Sequence, residues 1–280
     1  MNNFLAVFDG YKMKESTLLY AIQLTKDANA HLTGVFLDDF LYHTYNVSKV
    51  VFNNNDYRAV MQELDETDKT MRDKAAQDFQ KACNRAHIHF SIHHDKSIAL
   101  QELKHESLFA DLVIINENET FSNTQQQSPT AFIKDLLCDV HCPVFVVPDE
   151  YKPLNKVVLL YDGEPSSLHA IKMYSYLLGN TKQLPVEVFT VKEESIPILR
   201  LPENKLMRGF IKSHFTGAQY TIISGDSEEQ VISHLKENME NKLIVLGAYG
   251  RSTLSRWFKD SMGDLLLKEL NVPLFIAHEN

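Results

Sequence analysis

The sequence predicts an α/β protein made of two tandem doubly wound domains, each a five-stranded, mostly parallel sheet with helices on both faces. Three observations carry this reading. Short apolar runs alternate with helical patterns along the whole chain, the order that right-handed βαβ crossovers require. The runs at 112–115 (LVII) and 243–246 (LIVL) are continuously apolar, as burial on both sheet faces demands. The chain also repeats itself: residues 4–9 (FLAVFD) precede Gly10, and residues 157–162 (VVLLYD) precede Gly163.

The elements come in the same order in each half. After the first strand, Leu18, Ala21, Ile22 and Ala28 recur at helical spacing, as do Leu168, Ile171, Tyr174 and Leu178 in the second half. Second strands are predicted at 31–37 and 186–191, and third strands at 87–93 and 219–224. Ser227 to Gln230 (SEEQ) matches a capping box at the start of a helix. Fourth strands are predicted at 110–115 and 242–247. A helix bearing Ile133, Leu136, Leu137 and Val140 leads to the run 142–147, and one bearing Met262, Leu265, Leu266 and Leu270 leads to 271–277. Each last strand begins at a proline, Pro143 or Pro273, where the missing N–H removes no ladder bond. The boundary falls near 149–155, giving domains 1–150 and 151–280. The first half is enlarged at 38–82 by a polar stretch, Asn53 to Asp56, and a charged helix from about Tyr57 to Asn84, expected to be solvated and amphipathic.

Composition narrows the function. The 280 residues carry 37 acidic against 28 basic side chains, a net charge of -9, which opposes general nucleic-acid binding. Three cysteines, Cys83, Cys138 and Cys142, make no disulfide framework and fit a reducing compartment. No run approaches the roughly 18 apolar residues of a membrane span, and Met1-Asn2-Asn3 gives no basic leader. A cytoplasmic protein that does not bind membranes is expected. Neither a G-x-S-x-G elbow, an H-E-x-x-H pair nor a Walker A loop occurs, so no catalytic set is expected. His87, His89 and His93 would share one strand face in a row and not around a point, so they read as surface histidines and not metal ligands. Cys138 and Cys142, four apart, read as small buried hydrophobes, and Trp257-Phe258 as packing.

Open parallel sheets bind ligands beyond the carboxyl ends of their strands. In the second half those positions hold Asp162-Gly163, Val191, Gly225 and Gly247-Ala248-Tyr249-Gly250. Gly247 and Gly250 allow positive φ and close backbone approach. Ser261 stands at the start of the following helix, whose free N–H groups favour an anion.

The segment from Gly247 to Arg256, followed by Ser261 and Val272-Pro273, resembles the universal stress protein family. Its nucleotide motif is Gly, two residues, Gly, nine residues, Gly, then Ser or Thr. The likeness covers the chain as two copies of a Rossmann-like unit. It implies a regulatory or binding protein of the stress response, non-catalytic and not committed to a nucleotide, with ATP or AMP the candidates for the second domain. The alternative it implies is an ATP-binding member with slow hydrolysis in the second domain. Under the resemblance, Asp162 and Val191 surround adenine and ribose, Gly247 and Gly250 contact ribose or phosphate, and Ser261 contacts phosphate. Family pairing implies that strands 143–147 and 273–277 meet edge to edge within the chain, covering two aggregation-prone edges. A homodimer and unspecified protein partners remain open.

The sequence departs from the motif in two places. Asp260 occupies the third glycine position. In the first half, Asn116-Glu117-Asn118-Glu119 replaces the glycine loop, Thr130-Ala131 stands at the helix start, and of the site residues Asp9 is the one clearly kept. Like charges 4 Å apart repel by about 4 kcal/mol at an effective dielectric near 20. Replacing Asp260 with glycine is therefore expected to tighten ATP binding by about tenfold or more, read by calorimetric titration of both proteins. Unchanged affinity would mean that Asp260 stands clear of the phosphates.

Overall fold

The computed structural model describes residues 1–10, 13–37, 57–95, 98–122, 126–192, 200–237, 241–247 and 262–277. Its first half runs β1 (Asn3–Asp9), α1 (Glu15–Ala28), β2 (His31–Leu37), α2 (Tyr57–Ala86), β3 (His89–Asp95), α3 (Ala99–Ser107), β4 (Leu112–Asn116), α4 (Ala131–Asp139) and β5 (Val144–Val147). The second runs β6 (Lys156–Leu160), α5 (Pro165–Leu177), a 3-10 turn (Gly179–Gln183), β7 (Val186–Lys192), α6 (Asn204–His214), β8 (Gln219–Ser224), α7 (Ser227–Glu237), β9 (Lys242–Gly247), α8 (Met262–Glu269) and β10 (Leu274–Ala277). Among the described residues no helix is long and apolar enough to cross a membrane.

The strands form one ten-stranded sheet in the order β3-β2-β1-β4-β5-β10-β9-β6-β7-β8. Neighbours within each half are parallel. The halves join through β5 and β10, which run antiparallel with Phe145 opposite Phe275. That one antiparallel pairing turns the carboxyl ends of the two halves toward opposite edges of the sheet. In each half the chain order reverses beside the first strand, between β1 and β4 and between β6 and β9, where a crevice opens in folds of this kind.

Two apolar layers cover the sheet. One holds Phe4, Phe8, Phe36, Phe145, Tyr174 and Phe275 beneath α1, α2, α5 and α6. The other holds Val7, Ile115, Val146, Ile244, Leu246 and Ile276 beneath α3, α4, α7 and α8. The charged helix α2 is amphipathic, as expected, and it is anchored by Ala75, Phe79 and Cys83 in the first layer. Residues 38–56 of the insertion lie outside the described residues.

The connecting segment is tied to both halves. The Tyr20 hydroxyl donates to the Lys152 carbonyl at 3.0 Å and accepts from the Lys152 N–H at 3.2 Å. Its ring meets Tyr151 edge-on at 4.7 Å. Asn241 donates to the carbonyls of Lys152 and Pro153, and Lys14 pairs with Asp149 at 2.7 Å.

Three local readings change. His87 precedes β3 with a φ of 54°, so it ends the α2 turn and shares no strand face with His89. Cys138 is exposed on α4, whereas Cys142 lies past that helix and is buried. The first turn of α7 is capped by Asp226, whose carboxylate accepts from the Glu229 N–H at 3.1 Å. The carboxylate thus takes the N-cap role that the sequence suggested for Ser227.

The seam rests on few, fully buried side chains. Phe275 is 0% exposed and packs on Tyr174 at 5.8 Å. Phe275→Ala is expected to cost about 3–5 kcal/mol of unfolding free energy, measured by urea denaturation. A loss below about 1 kcal/mol would mean the seam repacks.

Candidate functional site

In the second half, β6 ends in a run of buried residues that leads directly to Tyr161 and Asp162. Asp162 is buried, and its Oδ1 accepts from the Glu164 N–H at 2.9 Å and the Ser167 hydroxyl at 2.6 Å. These bonds fix the carboxylate at the start of α5, where the helix dipole favours negative charge. Gly163 between them has a φ of 96°, and a Cβ there would lie 2.5 Å from the Cβ of Pro202. Only glycine suits that turn. Tyr161 is held by backbone bonds to β7: its N–H donates to Phe189, and its carbonyl accepts from the Thr190 hydroxyl at 2.7 Å. Burial first, then Asp162 and Glu203, pushes its phenol up to about 12, so it stays protonated.

Val191 is buried in β7, beside Ile223 of β8. Gly225 follows β8, and its N–H donates to Lys192 at 2.9 Å. Gly247 closes β9, and a Cβ there would lie 2.4 Å from the backbone of Ser166. Its missing side chain therefore lets the first turn of α5 sit directly on the strand end. The structure brings Asp162, Val191 and Gly247 to one edge of the sheet, at the carboxyl ends of β6, β7 and β9. Gly250 and Ser261, like Asp260 and Trp257-Phe258, lie outside the described residues.

The equivalent edge of the first half has different chemistry. Asp9 is buried at the end of β1. Asn116 ends β4, with its Oδ1 accepting from the Asn118 N–H at 2.9 Å and its amide donating to Ser16 at 3.4 Å. The side chain of Glu117 is buried, and its Oε2 has no hydrogen-bond partner among the described residues. Burial, reinforced by Asp149 and opposed by Lys14, pushes its carboxyl up to about 7. The N-terminus of α4 is already occupied by its own chain. The Thr130 hydroxyl accepts from the Ile133 N–H, and Gln126 Oε1 accepts from the Ala131 N–H at 2.9 Å. Thr130 in turn donates to the Glu119 carbonyl at 2.5 Å.

No family model matches the chain. It is 22% identical over 171 residues to the universal stress protein Slr1230 of Synechocystis sp., covering 59% of this chain and 56% of that one. The chain thus spans about half the length of that relative. Its fold matches a universal stress protein from Archaeoglobus fulgidus with a TM-score of 0.68 and 14% identity, over 100% of this chain and 99% of that one. A putative universal stress protein from Pseudomonas aeruginosa matches with a TM-score of 0.57 and 14% identity, over 99% and 93% of the two chains.

The chain has the fold of the universal stress proteins.

Two features of this chain escaped the sequence. One is the buried Glu117. The other is a polar cluster nearer the amino ends of the second-half strands, centred on Glu187. There Lys156 stands at 2.7 Å and His234 at 3.0 Å, and Thr221 donates to the same carboxylate. Burial pushes the Glu187 carboxyl up, but the bonds from Lys156 and Thr221 and the charge on His234 outweigh it and leave it below its ordinary value. The signal was present, a lone Glu inside the apolar run VEVFTV. Among the described residues no group of three or more His, Cys, Asp or Glu is arranged to hold a metal. Across β2 and β3, His31 faces His89, and burial together with His89 and His93 lowers its pKa.

Glu117 gives a pH dependence with a definite sign. Its pKa rises from 4.5 to about 7 on folding, so the folded state keeps the proton longer. The stability this contributes is complete below pH 4.5 and lost as pH rises through about 7, a swing of about 3 kcal/mol. Glu117→Gln is expected to flatten that slope and to be the more stable protein at pH 8. Chemical denaturation at pH 5 and pH 8 checks it, and an unchanged slope would contradict it.

Proposed function

We propose that this chain is a non-catalytic regulatory protein of the stress response that reads an adenine nucleotide, ATP or AMP, in the second-half crevice alone. The domains are the units 1–150 and 151–280, the first serving as the structural partner of the second. The reading rests on the fixed Asp162 at the carboxyl-end edge of the second half and on the filled loop after β4 at that edge of the first. In the second half, Asp162 is fixed at the mouth of α5 by Glu164 and Ser167. A carboxylate held in that way is set to accept hydrogen bonds from a ribose or an adenine amino group. In the first half, Gln126 and Thr130 fill the helix N-terminus and a buried Glu117 stands in the loop. A phosphate placed there would meet carboxylates where it needs donors.

Titration calorimetry with ATP and Mg²⁺, and separately with AMP, tests the proposal. The expected result is one site per chain, weakened at least about tenfold by Asp162→Asn and unchanged by Asp9→Asn. Phosphate release from ATP is expected to stay at the rate of buffer alone. Two sites per chain, no binding heat from folded protein, or turnover that Asp162→Asn removes would overturn it.

A further inference from the structure

Helix α6 packs on the sheet through Met207 and Ile211, both buried, which leaves its opposite face to solvent. That face carries Lys205, Arg208 and Lys212 at i, i+3 and i+7, all exposed, and the helix has no acidic residue. In a chain of net charge -9 this is a local reversal of sign. The Arg208 guanidinium is held in place, with its Nε donating to Asn204 at 2.8 Å and its carbon 4.2 Å from the centre of the Tyr220 ring. Beside the basic stripe lies Leu206, 70% exposed. One turn on is Gly209, exposed, where an added Cβ would meet nothing within 4 Å. A glycine in a helix interior costs about 1 kcal/mol against alanine, and among the described residues no neighbour requires its missing side chain. The effect of that absence is a notch in the exposed face, next to Leu206.

We propose that this face of α6 docks an acidic, amphipathic segment of another protein. Its carboxylates would meet Lys205, Arg208 and Lys212, an apolar side chain would cover Leu206, and its backbone would approach closely at Gly209. A lipid surface uses the charge but gains nothing from a notch, because a larger apolar residue there would bury more area. A second copy docking the same face across a two-fold axis would set like charges against each other. The inference is independent of the nucleotide reading.

The test is selection of a random twelve-residue peptide display library on the full chain, with the enriched peptides then synthesised and titrated. The expected peptides are acidic, with apolar residues at helical spacing. Their affinity should fall at least tenfold with the triple variant Lys205→Glu, Arg208→Glu, Lys212→Glu. It should fall similarly with Gly209→Leu, which fills the notch with a better helix former and so keeps the fold. Enriched peptides without acidic character, or affinity indifferent to either variant, would overturn the proposal. So would capture by phosphatidylserine-rich vesicles that Gly209→Leu strengthens, or self-association on sedimentation that the triple variant abolishes.

Discussion

The pairing of β5 with β10 is the constraint on which the rest of the structure depends. Each is a four-residue strand, buried along its length and edging a parallel sheet. Exposed, such edges would recruit other chains. Paired with each other they close both sheets at once and make one sheet of ten strands. The antiparallel sense of that pairing also sends the two crevices to opposite edges. One crevice can therefore change its chemistry without disturbing the other, while the seam between them keeps its apolar packing.

The two halves have used that freedom differently. Their strand orders are the same, and an aspartate stands at the end of β1 and two residues past the end of β6. They differ in the residues at the loop after the fourth strand and at the helix beyond it. In the first half the donors of α4 are met by Thr130 and Gln126, and Glu117 is buried close to the Lys14–Asp149 pair that ties the connecting segment to α1. The loop there does structural work at the junction of the halves. In the second half the turn at Asp162 is set by bonds from the Glu164 N–H and the Ser167 hydroxyl at the start of α5.

Much of this was legible in the sequence because burial on both faces leaves a strong mark. Continuous apolar runs located the strands to within one or two residues, and the repeated Asp-Gly located the exits of β1 and β6. The seam strands were legible for the same reason, as apolar runs opened by proline. Contact across elements could not be read. The run 87–93 looked like a strand from its first histidine, but His87 adopts a left-handed turn that the pattern does not encode. Glu187 read as one polar position in an apolar strand, because only the fold brings Lys156, Thr221 and His234 to it. Glu117 was read as acidic but not as buried, since the burial comes from its place at the end of β4 beside Asp149 and Lys14. The anchoring of α2 by Phe79 was equally invisible, because a helix with mostly polar residues gives a weak sign of which side it buries.

Amide-resolved NMR of the full chain during titration with AMP tests the functional asymmetry most directly. Progressive shifts at Asp162, Gly163, Glu164 and Ser167, with Asp9, Glu117 and Asn118 unmoved, are the predicted result. Shifts of similar size at both strand ends would contradict it, as would shifts confined to the first half.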